Sequence, residues 1–329
     1  MAVDYLAEDT VERLREDARR GSLAAARALG LRLLVGRGAP FDPQEALSLL
    51  TAAAQQGEGA ALAQMATLKA AGAWVPQDWN EALDLLAEAA GRGSTHAQGQ
   101  LRILAHDARS SDWRGLRARV NLEAWRMPPE RRSLCEAPRI RAAEAFVPVA
   151  VCAWLLARAA GKYQRALMFD GQKANALSSR TCSDFKFDVV EADCVLQIVR
   201  ERIAAITTLP VVAFEPPQIF HYALGQEIKA HYDALRLGDQ GYGQGGAYKG
   251  DRIATFLLYL NDDYDGGDLV FPKVGLRHRG KAGDGVYFAH IDADGTPDRL
   301  SLHAALPVTR NEKFILSQWI HDRPFAATL

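Results

Sequence analysis

Cysteine is scarce in this chain. Cys135, Cys152, Cys182 and Cys194 are the four in 329 residues, and no two form a C-x-x-C pair. That excludes reading the chain as a disulfide framework and leads to an expectation of reduced thiols in the cytoplasm. Long apolar runs are missing as well. No stretch approaches the ~18 uninterrupted apolar residues of a membrane span, and the opening MAVDYLAEDT shows no basic segment followed by an apolar core, so neither a membrane partner nor a secretory signal is expected. An excess of one charge is also absent. Net charge is −1, with 17 basic and 17 acidic residues up to Cys135 and 22 and 23 beyond it. Neither half has the surplus of cations that binding to a phosphate backbone demands, so nucleic acid is not an expected partner. A local exception at 109–132, seven Arg against three acids, reads as a solvated face.

What remains is ordinary globular composition, 48% apolar and 24% charged, which excludes disorder and collagen. At 329 residues the chain exceeds what a single core usually holds, so two domains are expected. The first is a repeat. Gly21, Gly57 and Gly93 recur at a step of 36, as do Ala25, Ala61 and Ala97. Asp42-Pro43-Gln44-Glu45-Ala46-Leu47 aligns with Asp78-Trp79-Asn80-Glu81-Ala82-Leu83 at the same step. Each unit predicts two helices: an Ala-rich one, then one capped by Asp with apolar residues at helical spacing. One such unit cannot bury its apolar face, so neighbours must stack. The third copy breaks off after its first helix, residues 4–20 predict a capping helix, and 109–135 form the connector. The pattern resembles Sel1-like repeats, relatives of tetratricopeptide repeats, over about residues 21–108. Such solenoids usually serve as binding surfaces.

The texture changes near Pro210. Short β-branched and aromatic runs alternate with Gly/Asp turns (RIATFLLYL, DLVFP, GDGVYFAHI, KFILSQWIH), which predicts a β-sandwich or barrel, with helices from 139–206 packed on it. Within it are two His-x-Asp pairs. Residues i and i+2 of a strand share a face, so His231 and Asp233 can reach one metal together. His303, 70 residues beyond Asp233, is the candidate third ligand from a facing strand. Two His and one carboxylate leave three positions open, the arrangement of non-haem Fe(II) oxygenases. His290-x-Asp292 lacks a comparable partner and Asp292 opens the turn-rich DADGTPD, so that pair is set aside. Lys313 follows His303 by ten residues, and two neighbouring antiparallel strands joined by TRNE would place both in one barrel mouth. A lysine there can bind a carboxylate as a point charge. At ~4 Å and an effective dielectric of ~20 the attraction is about 4 kcal/mol before desolvation.

Six motifs in order, Y-A-L-G-Q-x4-H-x-D, R-I-A-T-F-L-L-Y-L-N-D, G-G-D-L-V-F-P, G-D-G-V-Y-F, D-G-T-P-D-x-L-S-L-H and E-K-x5-W-I-H, resemble the catalytic domain of prolyl 4-hydroxylases. The resemblance runs from about Pro138 to His321 and takes in Arg180-Thr181-Cys182-Ser183, where that family has an Arg-Thr-Ser-like element. It implies an α+β chain: Sel1-like helical repeats with a capping helix at 1–108, a connector at 109–135, and a double-stranded β-helix (jelly-roll) catalytic domain with supporting helices at 136–329. It implies His231, Asp233 and His303 as Fe(II) ligands, with Lys313 and the Tyr222 hydroxyl holding the distal carboxylate of 2-oxoglutarate. Thr255 and Trp319 match pocket-lining positions, and Arg252 a position at the mouth that faces substrate.

The implied reaction takes Fe(II), 2-oxoglutarate and O2, with ascorbate as a candidate reductant, and hydroxylates a C–H bond with release of succinate and CO2. Related halogenating enzymes lack the carboxylate ligand, so Asp233 favours hydroxylation. The stretch Gly238–Gly250, with six Gly in thirteen residues, is expected to be a lid over substrate, where Tyr242 and Tyr248 could stack on a peptide proline. A prolyl residue in a peptide or protein, recruited by the repeats, is the expected substrate. Two alternatives stay open at this stage: a free amino acid or small peptide product as substrate, or a repeat scaffold or oxygen sensor with a weakly active oxygenase domain.

Overall fold

The structure, a computed structural model, describes residues 10–325 apart from 167, 170–173, 176–179, 236 and 238–250. The chain divides into two compact units. One runs to Arg126 and includes Phe187–Val199; the other comprises Met127–Lys186 and the chain from Arg200 onward.

The first unit is helical: α1 (Val11–Arg19), α2 (Leu23–Val35), α3 (Pro43–Gln55), α4 (Gly59–Ala71), α5 (Trp79–Gly91), α6 (Thr95–Leu104), α7 (Trp113–Arg119) and α8 (Leu122–Arg126). The 36-residue step reappears in the caps. Ser22, Glu58 and Ser94 each accept a backbone N–H from the first turn of α2, α4 and α6. Asp42 and Asp78 do the same for α3 and α5, satisfying donors that a helix start leaves orphaned. Between those helices the buried alanines at the repeat positions, Ala25, Ala61 and Ala97, allow close approach. The third repeat has a second helix, seven residues long against thirteen in α3 and α5, where the sequence reading ended it after its first. Asp112 caps α7 by accepting from the Gly115 N–H, and Leu116 of α7 is fully buried. Arg117 donates to Asp84 of α5 at 2.6 Å. Asp112-Trp113 repeats Asp78-Trp79 after 34 residues rather than 36, and this two-residue deletion hid it.

Gly21, Gly57 and Gly93 have φ of 95°, 82° and 89°, a conformation that β-carbon sterics disfavour. A Cβ at Gly93 would meet nothing within 4 Å, so Gly93→Ala isolates the backbone term. Denaturant unfolding should show a loss of about 1–2 kcal/mol. Gly91→Ala, equally open but in helical backbone, should leave stability unchanged or raise it.

The second unit holds the strands. They are β1 (Arg132–Cys135), β2 (Ile140–Ala143), β3 (Gln164–Arg165), β4 (Met168–Phe169), β5 (Ala174–Asn175), β6 (Ser183–Lys186), β7 (Gln218–Tyr222) and β8 (Ile228–His231). Beyond them come β9 (Arg252–Tyr259), β10 (Asp265–Gly266), β11 (Leu269–Phe271), β12 (Leu276–His278), β13 (Gly285–Ala289), β14 (His303–Ala305), β15 (Val308–Arg310) and β16 (Lys313–His321). The predicted helices are α9 (Val149–Ala159) and α10 (Cys194–Thr207), although Phe187–Val199, expected in the catalytic domain, groups with the helical unit.

An eight-stranded sheet has the order β1-β2-β13-β9-β16-β7-β6-β3, and a four-stranded sheet the order β12-β11-β14-β8, every pairing antiparallel. The core lies between them. One cluster joins Phe220, Tyr222 and Trp319 of the large sheet to Ile228 and Ala305 of the small one. A second joins Tyr259, Val286, Phe288 and Ile315 to Leu269 and Phe271. Non-consecutive strands alternating between two facing sheets make this the expected jelly roll. No helix among the described residues is long and apolar enough to cross a membrane.

Candidate active site

Strand register brings the three metal-ligand candidates together. His303 of β14 lies directly opposite His231 of β8 in the small sheet, and their rings are 4.4 Å apart. Asp233 sits just past the end of β8 rather than on it, yet turns inward and is buried. Its Oδ1 is 3.5 Å from His231 Nε2 and its Oδ2 is 3.6 Å from His303 Nε2. One ligand atom from each of the three residues lies within 4.8 Å of the others.

The imidazoles are preset as donors. His231 Nδ1 bonds to the Lys229 carbonyl and His303 Nδ1 to the Ser301 carbonyl, both at 2.9 Å. A carbonyl can only accept, so each Nδ1 carries the proton and each Nε2 lone pair faces Asp233. Burial pushes His303 down to about 3, so it stays neutral at physiological pH. Two neutral imidazoles and one carboxylate, each oriented by a hydrogen bond, form a donor set that fits a divalent iron.

Lys313 begins β16 and pairs across the ladder with Tyr222 of β7. It is 3% exposed, and its ammonium meets the Gly267 carbonyl and the faces of Tyr222 at 5.0 Å and Tyr259 at 6.0 Å. No carboxylate among the described residues forms an ion pair with it. Burial lowers its pKa to about 8 and keeps the Tyr222 hydroxyl protonated. A buried ammonium with no carboxylate in ion-pair contact among the described residues, beside a phenol that can donate, fits the carboxylate end of 2-oxoglutarate. The sequence placed Lys313 and His303 on neighbouring strands. They stand instead on opposite sheets, with β15 intervening in the chain and pairing with β10.

Thr255 and Trp319 are cross-strand partners on β9 and β16. Thr255 does more than line the pocket, since its hydroxyl bonds Asp233 Oδ2 at 2.6 Å. Arg252, expected to face substrate, has its head held by neighbouring side chains. Its guanidinium forms a two-point pair with Glu215 at 2.6 and 3.0 Å and lies 3.7 Å over the Trp319 ring. His321 bonds the same Glu215 at 2.6 Å. Against the cost of burial, Arg252 and His321 bring Glu215 down to about 2. Arg180 is 7% exposed with its guanidinium 5.2 Å over Phe220. The loop at 238–250, with Tyr242 and Tyr248, lies outside the described residues.

Sequence reasoning passed over two residues. Glu215 carries no motif. His290 was discounted with its neighbour Asp292, which does close a turn by accepting from the Asp294 and Thr296 N–H groups. His290 itself is fully buried, with Nε2 at 2.7 Å from the Thr255 hydroxyl and 3.8 Å from Asp233 Oδ2.

A jelly roll with two imidazoles and one carboxylate converging between its sheets, and a buried lysine beside them, defines a facial-triad, non-haem iron oxygenase scaffold. Residues 217–321 match the 2OG-Fe(II) oxygenase superfamily, and this chain belongs to it, among the prolyl 4-hydroxylase-like members. It is 31% identical over 215 residues to probable prolyl 4-hydroxylase 6 of Arabidopsis thaliana, covering 57% of this chain and 70% of that one. It is 34% identical over 148 residues to probable prolyl 4-hydroxylase 9 of the same plant, covering 40% and 50%. Among solved structures, the viral collagen prolyl hydroxylase vCPH of Paramecium Bursaria Chlorella virus-1 in its 2OG complex is 25% identical, with 57% of this chain and 98% of that one covered and a TM-score of 0.44. The chain spans about half the length of the first curated relatives it matches.

Proposed function

We propose that this protein is an Fe(II)- and 2-oxoglutarate-dependent dioxygenase that hydroxylates a prolyl residue of a peptide or protein. The observation that carries the reading is the convergence of His231, Asp233 and His303 within 4.8 Å, in the same jelly-roll core as Lys313, a buried ammonium with no carboxylate ion pair among the described residues. Iron with 2-oxoglutarate and O2 supplies oxidation of an unactivated C–H bond, coupled to decarboxylation of 2-oxoglutarate to succinate and CO2. The chain binds, orients and shields. His231 and His303 present Nε2 lone pairs fixed by backbone carbonyls, and Asp233 adds the one anionic donor. Lys313 and Tyr222 take the distal carboxylate of 2-oxoglutarate and set its register. Trp319 and Phe220 supply an apolar wall that keeps water out.

The prolyl substrate is supported by the names of the matched relatives, and a peptide or protein rather than a free amino acid by the stacked helical repeats, a surface type suited to recruiting a partner. Four free cysteines fit the cytoplasm as its compartment. Succinate release, measured with proline-containing peptides and with free amino acids, each with and without Fe(II), tests the proposal. Release is expected only with iron and at least tenfold faster with a peptide. Faster turnover of free proline would overturn the substrate class, and no succinate with any of them would overturn the activity.

A further inference from the structure

Thr255, Asp233 and His290 form a chain of contacts in which every proton can be placed. The Asp233 carboxylate can only accept, so the single Thr255 hydroxyl proton points to Oδ2. The Thr255 oxygen is then left with lone pairs alone toward His290, so the bond at 2.7 Å requires a proton on His290 Nε2. In the neutral ring, Nδ1 is consequently a bare acceptor. It is buried and has no hydrogen-bond partner among the described residues. An orphaned lone pair inside a core is a standing cost that an apolar side chain of the same size would avoid. The surroundings favour such an apolar residue: Phe288 meets the ring edge-on at 5.2 Å, and His290 is 0% exposed. His290 reaches this place through the sheet, because β13 pairs with β9 and brings Ala289 opposite Ala254.

We propose that His290 is a positioning residue of the metal centre: its Nε2–H fixes the Thr255 hydroxyl, which in turn pins Asp233 Oδ2 and leaves Oδ1 as the oxygen free to ligate. This rests on the oxygenase reading above. Without the imidazole donor, the hydroxyl can rotate away from Asp233, and the carboxylate loses its fixed orientation. Groups that orient a metal-binding carboxylate commonly change metal affinity by 10–100-fold.

The test uses the full chain and Co(II) alone, titrated by calorimetry and by the visible absorption of the bound ion, with no turnover required. His290→Leu, which keeps the volume and removes the donor, should weaken Co(II) binding by about 10–100-fold. His290→Gln, which restores an N–H, should recover to within about threefold of wild type. Thr255→Val should match His290→Leu, and the double variant should be no weaker than Thr255→Val alone, since both act through one bond. Nitrogen-15 NMR of the wild-type ring should show the proton on Nε2. Wild-type affinity in His290→Leu alongside lost affinity in Asp233→Ala would overturn the positioning role and leave the metal site standing. A proton on Nδ1 would overturn it too. Failure of wild-type protein to bind Co(II) would sink both readings together. If His290→Leu does not fold, Thr255→Val and the NMR assignment decide.

Discussion

Asp233→Ala is expected to abolish 2-oxoglutarate-dependent succinate release and to weaken Fe(II) binding by more than about 100-fold, because loss of a ligand exceeds the 10–100-fold cost of losing a group that merely orients one. The reason is electrostatic as well as geometric. Asp233 is the single anion among the three donors, and it is nearly fully buried. Removing it leaves two neutral imidazoles facing a dication with no compensating charge. Asp292→Ala is the matched control, since that carboxylate accepts from its own turn and stands apart from the donor set. Anaerobic Fe(II) titration of both variants checks this. Equal affinity in wild type and Asp233→Ala, or a comparable loss in Asp292→Ala, would mean that the wrong His-x-Asp pair has been assigned.

Lys313→Ala should act on the co-substrate and leave the metal alone. Taking away one partner of a buried ion pair costs about 3–5 kcal/mol, because the remaining charge stays in the core uncompensated. The expected rise in KM for 2-oxoglutarate is therefore roughly 10²- to 4 × 10³-fold, with Fe(II) affinity unchanged. Lys313→Arg should recover only part, as a planar fork does not replace a compact ammonium between two aromatic rings. The pH dependence has a definite sign. Burial lowers this amine to about 8, and only the ammonium attracts a carboxylate. Below about pH 8 the free enzyme holds its cation, and above it kcat/KM for 2-oxoglutarate should fall about tenfold per pH unit. Lys313→Ala should lack that fall. A pH-independent kcat/KM between 7 and 9.5 in wild type would remove Lys313 from the proposed role.

The repeats and the donor triad were legible in the sequence for different reasons. A 36-residue step is visible because each copy needs the same cap and the same left-handed glycine, so Asp42 and Asp78, and Gly21, Gly57 and Gly93, cannot drift. The third pair escaped notice once two residues dropped out before Asp112. His231 and Asp233 could be proposed as a pair because they are neighbours in the chain, and His303 because a facial set needs one more nitrogen. The part of His290 was not legible. Its link to Asp233 runs through Thr255 on an adjacent strand, and sheet order leaves no trace in local spacing. Arg252 shows the same limit: the tie to Glu215 that fixes its head depends on a residue 37 positions away.

The pairing of His231 with His303 has a mechanical side. β8 is the end strand of the small sheet, four residues long, laddered to β14 on one flank and joined on the other, among the described residues, by the single bridge of Ile228 to Arg180. Short outer strands are where sheets fray. An ion gripped by residues facing each other across that seam would rivet this end strand to its neighbour, so loading with iron and consolidation of the sheet margin become a single event.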